Sequence, residues 1–538
     1  MNDARNEHSL RIVDPATGLR DFTRADIVVR RGQLTLLNET LTPTQASVED
    51  LLAVADALGA AGIDFLLVRG DGPTPTLAVD RARRREVARV LAVAFENEPF
   101  YSKAGTEPAL FIPDGKLAAS GKARIVRLFR PRVDPAGRLR YGAASAVRLE
   151  FWDFGVDEIV APAANAIMRS TLPRSEAIES TVELYGREWT TLAGMFDPLT
   201  SDIPFDIDIV FSWVDGSSAE FQRMRALRMQ SYVVGVGDDS AARYRQLDEL
   251  KYALRSVYLF APWIRSIFIV TDSPAPAWLD QHPAVTIVPS SAFFSDPSNL
   301  PTHNSHAIES QLQHIEGLSE HFLYSNDDMF FARPVSPDMF FSPGGITKFI
   351  EATTRIGLGD NSPERSGFEN AARVNRSLLH ERFGRVTTRH LEHAPTPLRR
   401  SVLLEMEREF PADFARTAAS PFRAATDISV TNSLYHYYAL LTGRAVVQPN
   451  ARVKYVETTL ASSLRQMTTL LRTRREDFFC LNDGSAPEIS IETRTTAVLA
   501  FLNSYFPIPA PWEKPESLDA SDSLDSAQVR PGQEPASS

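Results

Sequence analysis

The spacing of apolar residues changes along the chain. Between about Ala25 and Trp189, helical and strand-like stretches alternate. "SVEDLLAVADALGAAG" sets Leu51, Leu52, Val54, Ala55 and Leu58 on one helical stripe, with Ser47 and Asp50 as starting residues, and "IDFLLVRG" follows as a strand. "DRARRREVARVLAVAF" returns to helical spacing, and "AVRLEFWDF" has strand composition. These patterns predict an α+β N-terminal region, residues 1–200, whose role they do not name. After "MFDPLTSDIPFD" come the short apolar strands "IDIVFSWV", "SIFIVTD", "VTIVPS" and "HFLYSN", with helices through "LDELKYALRSVYLFAP" and "HAIESQLQHIEGLSEH". That alternation predicts an α/β fold with a largely parallel sheet and helical elaborations, over residues 205–515. Phe349 to about Arg444 reads as loop and then helix, and "APEISIETRTTAVLAFLNSYFP" as a late helix. Residues 516–538, rich in Ser, Asp and Pro, predict a disordered acidic tail.

Composition narrows the class. A chain of 538 residues exceeds one ordinary core, so two domains or one elaborated domain are expected. A formal charge of -11 argues against a general nucleic-acid binder, and any anionic ligand needs a local site. One cysteine, Cys480, excludes an internal disulfide and a thiolate metal cluster. The start "MNDARNEHSLRIVD" has no signal-peptide pattern and no apolar run is long enough to span a bilayer, which predicts a soluble, cytoplasmic protein. Docking at the inner face of a membrane, beside assembly machinery, stays compatible with that. The basic run Arg81 to Arg85 reads as a solvated helix face rather than a phosphate patch.

The acids lie where an α/β sheet holds its ligands. Strands of such sheets open their carboxyl ends onto a crevice, and those ends carry Asp215, Asp272 and the adjacent pair Asp327 and Asp328. Two neighbouring carboxylates repel unless a cation or a shared proton compensates them. The pair can be a strand-end turn, or it can hold Mg²⁺ or Mn²⁺ against a diphosphate. The helix after the histidines carries Ile308, Leu312, Ile315 and Leu318 at helical spacing, so its N-terminus near His303 to His306 is expected to face the crevice. His303 and His306 have a spacing that suits zinc, but the sequence offers no third ligand and zinc is not predicted. Asp215 in "SWVDGSS" is equally a Gly-assisted turn residue, Arg423 and Asp427 in "PFRAATDIS" equally an ion pair, and Asn482 and Asp483 in "FFCLNDGS" equally a turn.

Taken in order, these stretches resemble the four blocks of the Stealth family of hexose-1-phosphoryltransferases. The first is "DIDIVFSWVDGSS". The second runs from "YRQLDELKYALRSVYLFAPWIRSIFIVTDSPAPAWL" through "LPTHNSHAIESQLQHIEGLSEHFLYSNDDMFF". The third is "HLEHAPTPLRRSVLLEMEREFPADFARTAASPFRAATDIS", and the fourth is "FFCLNDG" with "FPIPAPWEKP". The resemblance implies a nucleotide-sugar-binding α/β domain. It implies transfer of a hexose-1-phosphate, or an N-acetylhexosamine-1-phosphate, to a hydroxyl of a polysaccharide or glycolipid acceptor, with release of a nucleoside monophosphate and with Mg²⁺ or Mn²⁺ as cofactor. By the same resemblance, Asp327, Asp328, His393 and Arg423 are catalytic. Asp215, His303, Asn304, Glu309 and Asp427 then bind substrate, and Asp328, Asn482 and Asp483 bind metal. Imidazole suits proton transfer near neutral pH, and guanidinium can meet two phosphate oxygens at once. The alternatives are a metal-dependent nucleotide-sugar glycosyltransferase, since fold and acid pair alone do not fix which atom is attacked, and a non-catalytic glycan-binding protein.

Overall fold

The computed structural model describes residues 10–14, 18–22, 24–119, 121–229, 247–484 and 487–515. The tail expected at 516–538 lies outside them. A five-stranded sheet organises the second part of the chain, in the order Val285–Val288, Ile267–Val270, Ile207–Ser212, His321–Asn326, Thr396–Arg399. The first three junctions are parallel and the last is antiparallel. Fold class therefore agrees with the alternating sequence pattern. A parallel sheet is buried on both faces. Ile207, Ile209 and Phe211 pack on one side with the Glu249–Phe260 and Ile491–Tyr505 helices. Val210, Phe322 and Tyr324 pack on the other with Val402, Leu403 and Tyr435. Asp208, also on an inner face, is fully buried and is held by Arg265 (Nε to Oδ1 2.8 Å) and the Ser319 backbone N–H (2.8 Å).

Because the Ile207–Ser212, Ile267–Val270 and His321–Asn326 strands are parallel, Asp215, Asp272 and Asp327 follow them at one edge of the sheet. Ties between strand ends fix that edge: Trp213 N–H donates to Val270 O (3.1 Å), Thr271 N–H to Val288 O (3.1 Å), and Ser290 N–H to Asp272 Oδ1 (2.7 Å).

Two local expectations are corrected. The segment "HAIESQLQHIEGLSEH" is helical only over Ser305–Glu309, followed by a single 3₁₀ turn at Leu312–His314. The Gln311 and Gln313 side-chain amides both donate to Ser310 O (3.1 and 2.8 Å), the carbonyl a continuing α-helix would offer to His314 N–H, which turns to Gln311 O instead. Leu312, Ile315 and Leu318 are buried all the same. The N-terminal helix, Pro43–Ala60, begins before Ser47 and Asp50: Thr42 caps it, with Gln45 completing a capping box and Pro43 in the first turn. Ser47 and Asp50 are buried inside it, and Asp50 receives Arg130 (2.7 Å) and Arg132 (2.8 Å).

The N-terminal region forms its own mixed eight-stranded sheet, with Thr76–Asp80 and Val147–Phe154 parallel at its centre. In the basic run, Arg81 pairs with Asp153, Arg83 with Glu86, and Arg84 lies over the Phe151 ring. Among the described residues, no helix is long and apolar enough to cross a membrane.

Candidate active site

The His321–Asn326 strand ends at the sheet edge, and Asp327 and Asp328 form the two-residue turn that passes the chain into a second, three-stranded sheet through Met329–Phe331. There Met329 faces Cys480 on Phe478–Asn482, and Leu481 N–H donates to Asp328 O (3.0 Å). Both acids are therefore clamped between two sheets. Along a strand, side chains alternate between faces. Cys480 and Asn482 accordingly present themselves together, with Sγ 3.4 Å and Nδ2 3.5 Å from Asp328 Oδ2.

The carboxyl groups lie below the surface although both residues keep some exposure. Burial pushes Asp327 well above the usual carboxylate range, and the charges of Asp328 and Glu249 push it further. Burial also raises Asp328; His393 and the Cys480 thiol oppose that rise, and Asp483 adds to it. Asp328 Oδ1 is buried and, among the described residues, has no hydrogen-bond partner. His393 thus belongs to the acid cluster, and its ring meets Tyr455 edge-on, with centroids 5.0 Å apart. Asp483 is held by Thr458 Oγ1 and lies 3.4 Å from Arg494. The chain can approach so closely here because residue 484 is glycine: a Cβ there would fall 1.7 Å from Glu457 Oε1.

A second cluster lies behind the same strand. Arg423 Nη2 donates to Ser305 Oγ (2.7 Å). Its segment is fixed by Asn304, whose amide donates to Ser420 O (3.2 Å), Phe422 O (3.2 Å) and Asp427 Oδ2 (2.8 Å), while Ala424 N–H donates to the same Asp427 oxygen (2.9 Å). His303 stacks on Phe422, with centroids 5.4 Å apart. Glu309 accepts from Thr431 Oγ1 (2.7 Å) and Tyr324 OH (3.4 Å), and Tyr324 sits three residues before Asp327 on the shared strand. The Asp215 carboxylate accepts within its own turn, from Ser217 N–H (3.0 Å) and Ser217 Oγ (2.6 Å).

Asp327, Asp328, His393, Asn482 and Asp483 thus come together, as do His303, Asn304, Glu309, Arg423 and Asp427. Sequence reasoning did not single out Cys480, Tyr455, Glu249 or Glu457 for the site. The alternation of "FFCLN" held a signal for the first, since Cys480 and Asn482 must share a face.

Among the described residues, no three His, Cys, Asp or Glu side chains converge as a ready metal cage. The donors present are nevertheless hard oxygens, and the buried Asp328 Oδ1 has no other partner among the described residues. Mg²⁺ typically takes one or two carboxylates, keeps several waters and shares substrate phosphates, and this set fits that mode.

Stealth protein conserved region 1 matches residues 205–233, region 2 residues 243–349, region 3 residues 392–440 and region 4 residues 469–521. The exopolysaccharide phosphotransferase CpsY of Mycobacterium tuberculosis is 58% identical, over 91% of this chain and 92% of that one. The chain belongs to the Stealth family of phosphotransferases. An exopolysaccharide phosphotransferase of Nocardia farcinica is 56% identical over 93% of both chains, and one of Streptomyces coelicolor is 39% identical over 90% of this chain and 85% of that one. Asp327, Asp328, His393, Asn482 and Asp483, and likewise His303, Asn304, Glu309, Arg423 and Asp427, fall within the four Stealth regions, whereas Tyr455 and Glu457 lie between the third and fourth; the relatives extend the match across most of the N-terminal part. Among solved structures, the galactosyltransferase LgtC in complex with donor and acceptor sugar analogues is 12% identical, covering 57% of this chain and 98% of that one with a TM-score of 0.29. The bifunctional glycosyltransferase WbbM is 9% identical, covering 61% and 54%, also at 0.29. Those superpositions are too low to bear on chemistry.

Proposed function

We propose that this Stealth protein transfers a hexose-1-phosphate, or an N-acetylhexosamine-1-phosphate, from a nucleotide sugar to a hydroxyl of a growing capsular polysaccharide, exopolysaccharide or glycolipid. What supports the proposal is that the His393 charge acts on the buried Asp328 carboxyl, which follows the His321–Asn326 strand at the edge of a parallel sheet. His393 takes the proton of the acceptor hydroxyl. The freed oxygen attacks the phosphorus that bears the sugar. The bond from that phosphorus to the bridging oxygen breaks, and a nucleoside monophosphate departs, leaving a phosphodiester between sugar and acceptor. Asp328, Asn482 and Asp483 would hold Mg²⁺ or Mn²⁺, which when bound supplies charge neutralisation for the diphosphate. Asp327, beside Asp328, completes the reaction centre.

Arg423 is the phosphate clamp in this reading, because its fork can meet two oxygens of the transferred group. Asn304 and Asp427 are buried and bonded to the Arg423 segment, which supports a positioning role for them. Glu309 holds Tyr324 and Thr431 in the same way. Asp215 and His303 border the donor side. We also divide the chain into an N-terminal domain, 1–200, and a catalytic domain, 205–515. Separate buried clusters support the division, one confined to Leu51–Trp189 and another on the inner face of the five-stranded sheet.

The test is donor consumption from a panel of nucleotide sugars with Mg²⁺ or Mn²⁺ and glycan acceptors. His393→Ala is expected to bind donor, measured by calorimetry, while losing about 10²-fold or more in turnover. Wild-type turnover in that folded variant would remove His393 from the proton-transfer role.

A further inference from the structure

A groove of about 450 Å³, lined by Glu392 and Val453, is used by none of the roles above. Its polar walls are Glu351, Arg389, Glu392, Gln448, Arg452 and Glu476. Glu392 immediately precedes His393 in the chain. The Val453–Glu457 strand connects groove and site more directly. Val453 lines the groove, and Val453, Tyr455 and Glu457 share one face of the strand because side chains alternate. Tyr455, the middle residue, lies against the His393 ring and keeps 39% of its surface exposed. From Val453 to Tyr455 the strand advances about 7 Å. The groove therefore leads to His393 along a single row of side chains.

Its chemistry separates it from the donor pocket. Three carboxylates and two guanidiniums share the walls, so a diphosphate finds no net positive field there. Part of the wall is already fixed: Glu351 accepts from Tyr437 OH (2.8 Å) and lies 3.6 Å from Arg389, and Gln448 donates to Met339 O (3.1 Å). Among the described residues, neither the Arg452 guanidinium nor the Glu476 carboxylate has a hydrogen-bond partner. A sugar ring offers hydroxyls that donate to carboxylates and accept from guanidiniums, and a C–H face that suits an exposed tyrosine ring.

We propose that this groove binds the uncharged glycan acceptor, and that Tyr455 seats the terminal sugar so that its hydroxyl reaches His393. The inference rests on the phosphotransferase reading and adds the acceptor subsite to it. Arg452→Gln and Glu476→Gln, singly and together, are to be assayed with a nucleotide-sugar panel and neutral oligomannosides, oligoglucosides and oligogalactosides, with oligouronides as the charged comparison and melting temperature as the check of folding. The double variant is expected to raise the acceptor KM about tenfold or more, with donor KM unmoved. An unchanged acceptor KM in folded variants, or a wild-type preference for oligouronides, would overturn the groove assignment while the phosphotransferase reading stands. A wild-type enzyme that releases no nucleoside monophosphate with any pair would remove that reading and the groove with it.

Discussion

A carboxylate held below the surface beside a second one costs free energy, and Asp328 is only partly compensated by His393, a thiol and a distant amide. In chelator, Asp328→Asn should therefore melt at a higher temperature than wild type. Mn²⁺ should then raise the wild-type melting temperature and leave that of the variant unmoved, because only a ligand that binds the folded state stabilises it. Equal responses to Mn²⁺ would exclude Asp328 from the metal site. The other residue-scale test concerns Gly367, which begins the Gly367–Phe383 helix under the stem of Arg423. A Cβ there would fall 2.7 Å from Arg423 Cβ and 2.8 Å from its Cδ, too close for either to stay in place. Gly367→Ala should thus imitate a clamp defect, lowering kcat about tenfold or more with folding retained, and Arg423→Lys should do the same by losing the bidentate fork. A Gly367→Ala enzyme with wild-type kcat would show that the Arg423 position does not matter to turnover. The acids were legible in the sequence because adjacent like charges need a reason. Gly367 was not, since its neighbour in space lies 56 residues away along the chain.

At the scale of elements, apolar runs that are short and bounded, as in "SIFIVTD" and "HFLYSN", form the strands their composition predicts. Apolar spacing overstates helix length where side chains compete for backbone partners: Gln311 and Gln313 end a helix whose apolar spacing alone would continue. Burial followed the apolar pattern even so, because Leu312, Ile315 and Leu318 need the core whatever their backbone does. The first residue of the acid-bearing strand supplies a test at this scale. His321 lies stacked on Phe205, with centroids 3.6 Å apart, and meets Phe341 edge-on. Burial lowers its pKa to about 4; Arg399 adds to that, and Glu320 opposes it. An unfolded histidine titrates near about 6.5, so between that pH and about 4 the unfolded chain binds a proton that the folded one excludes. Stability is then full above the upper limit and falls as pH drops through the window. His436, buried and lowered to about 3, acts in the same direction. Urea unfolding across this range should show the loss, and His321→Phe should flatten it. An identical pH slope in the variant would contradict the assignment.

For the whole molecule, the apolar spacing changes near residue 200, but the contacts made across that point are not legible in it. Ala46, Leu139 and Tyr141 of the N-terminal region join the buried cluster that also contains Ile209 and Phe330, and Gln45 Nε2 donates to Tyr258 OH (3.2 Å). Such packing depends on three-dimensional placement that local periodicity does not encode. The candidate site shows the same division. Each motif was visible in its own stretch, whereas the meeting of Asp328, His393 and Asn482 depends on two sheets joined by one two-residue turn. The central claim is that the attack falls on phosphorus, and the most direct measurement follows that atom. A nucleotide sugar labelled with ³²P at the sugar-linked phosphate is incubated with the enzyme, Mn²⁺ and a glycan acceptor, and the label is traced. The account predicts ³²P in the glycan product together with an unlabelled nucleoside monophosphate; label recovered in a nucleoside diphosphate, beside a phosphorus-free glycan, would contradict it.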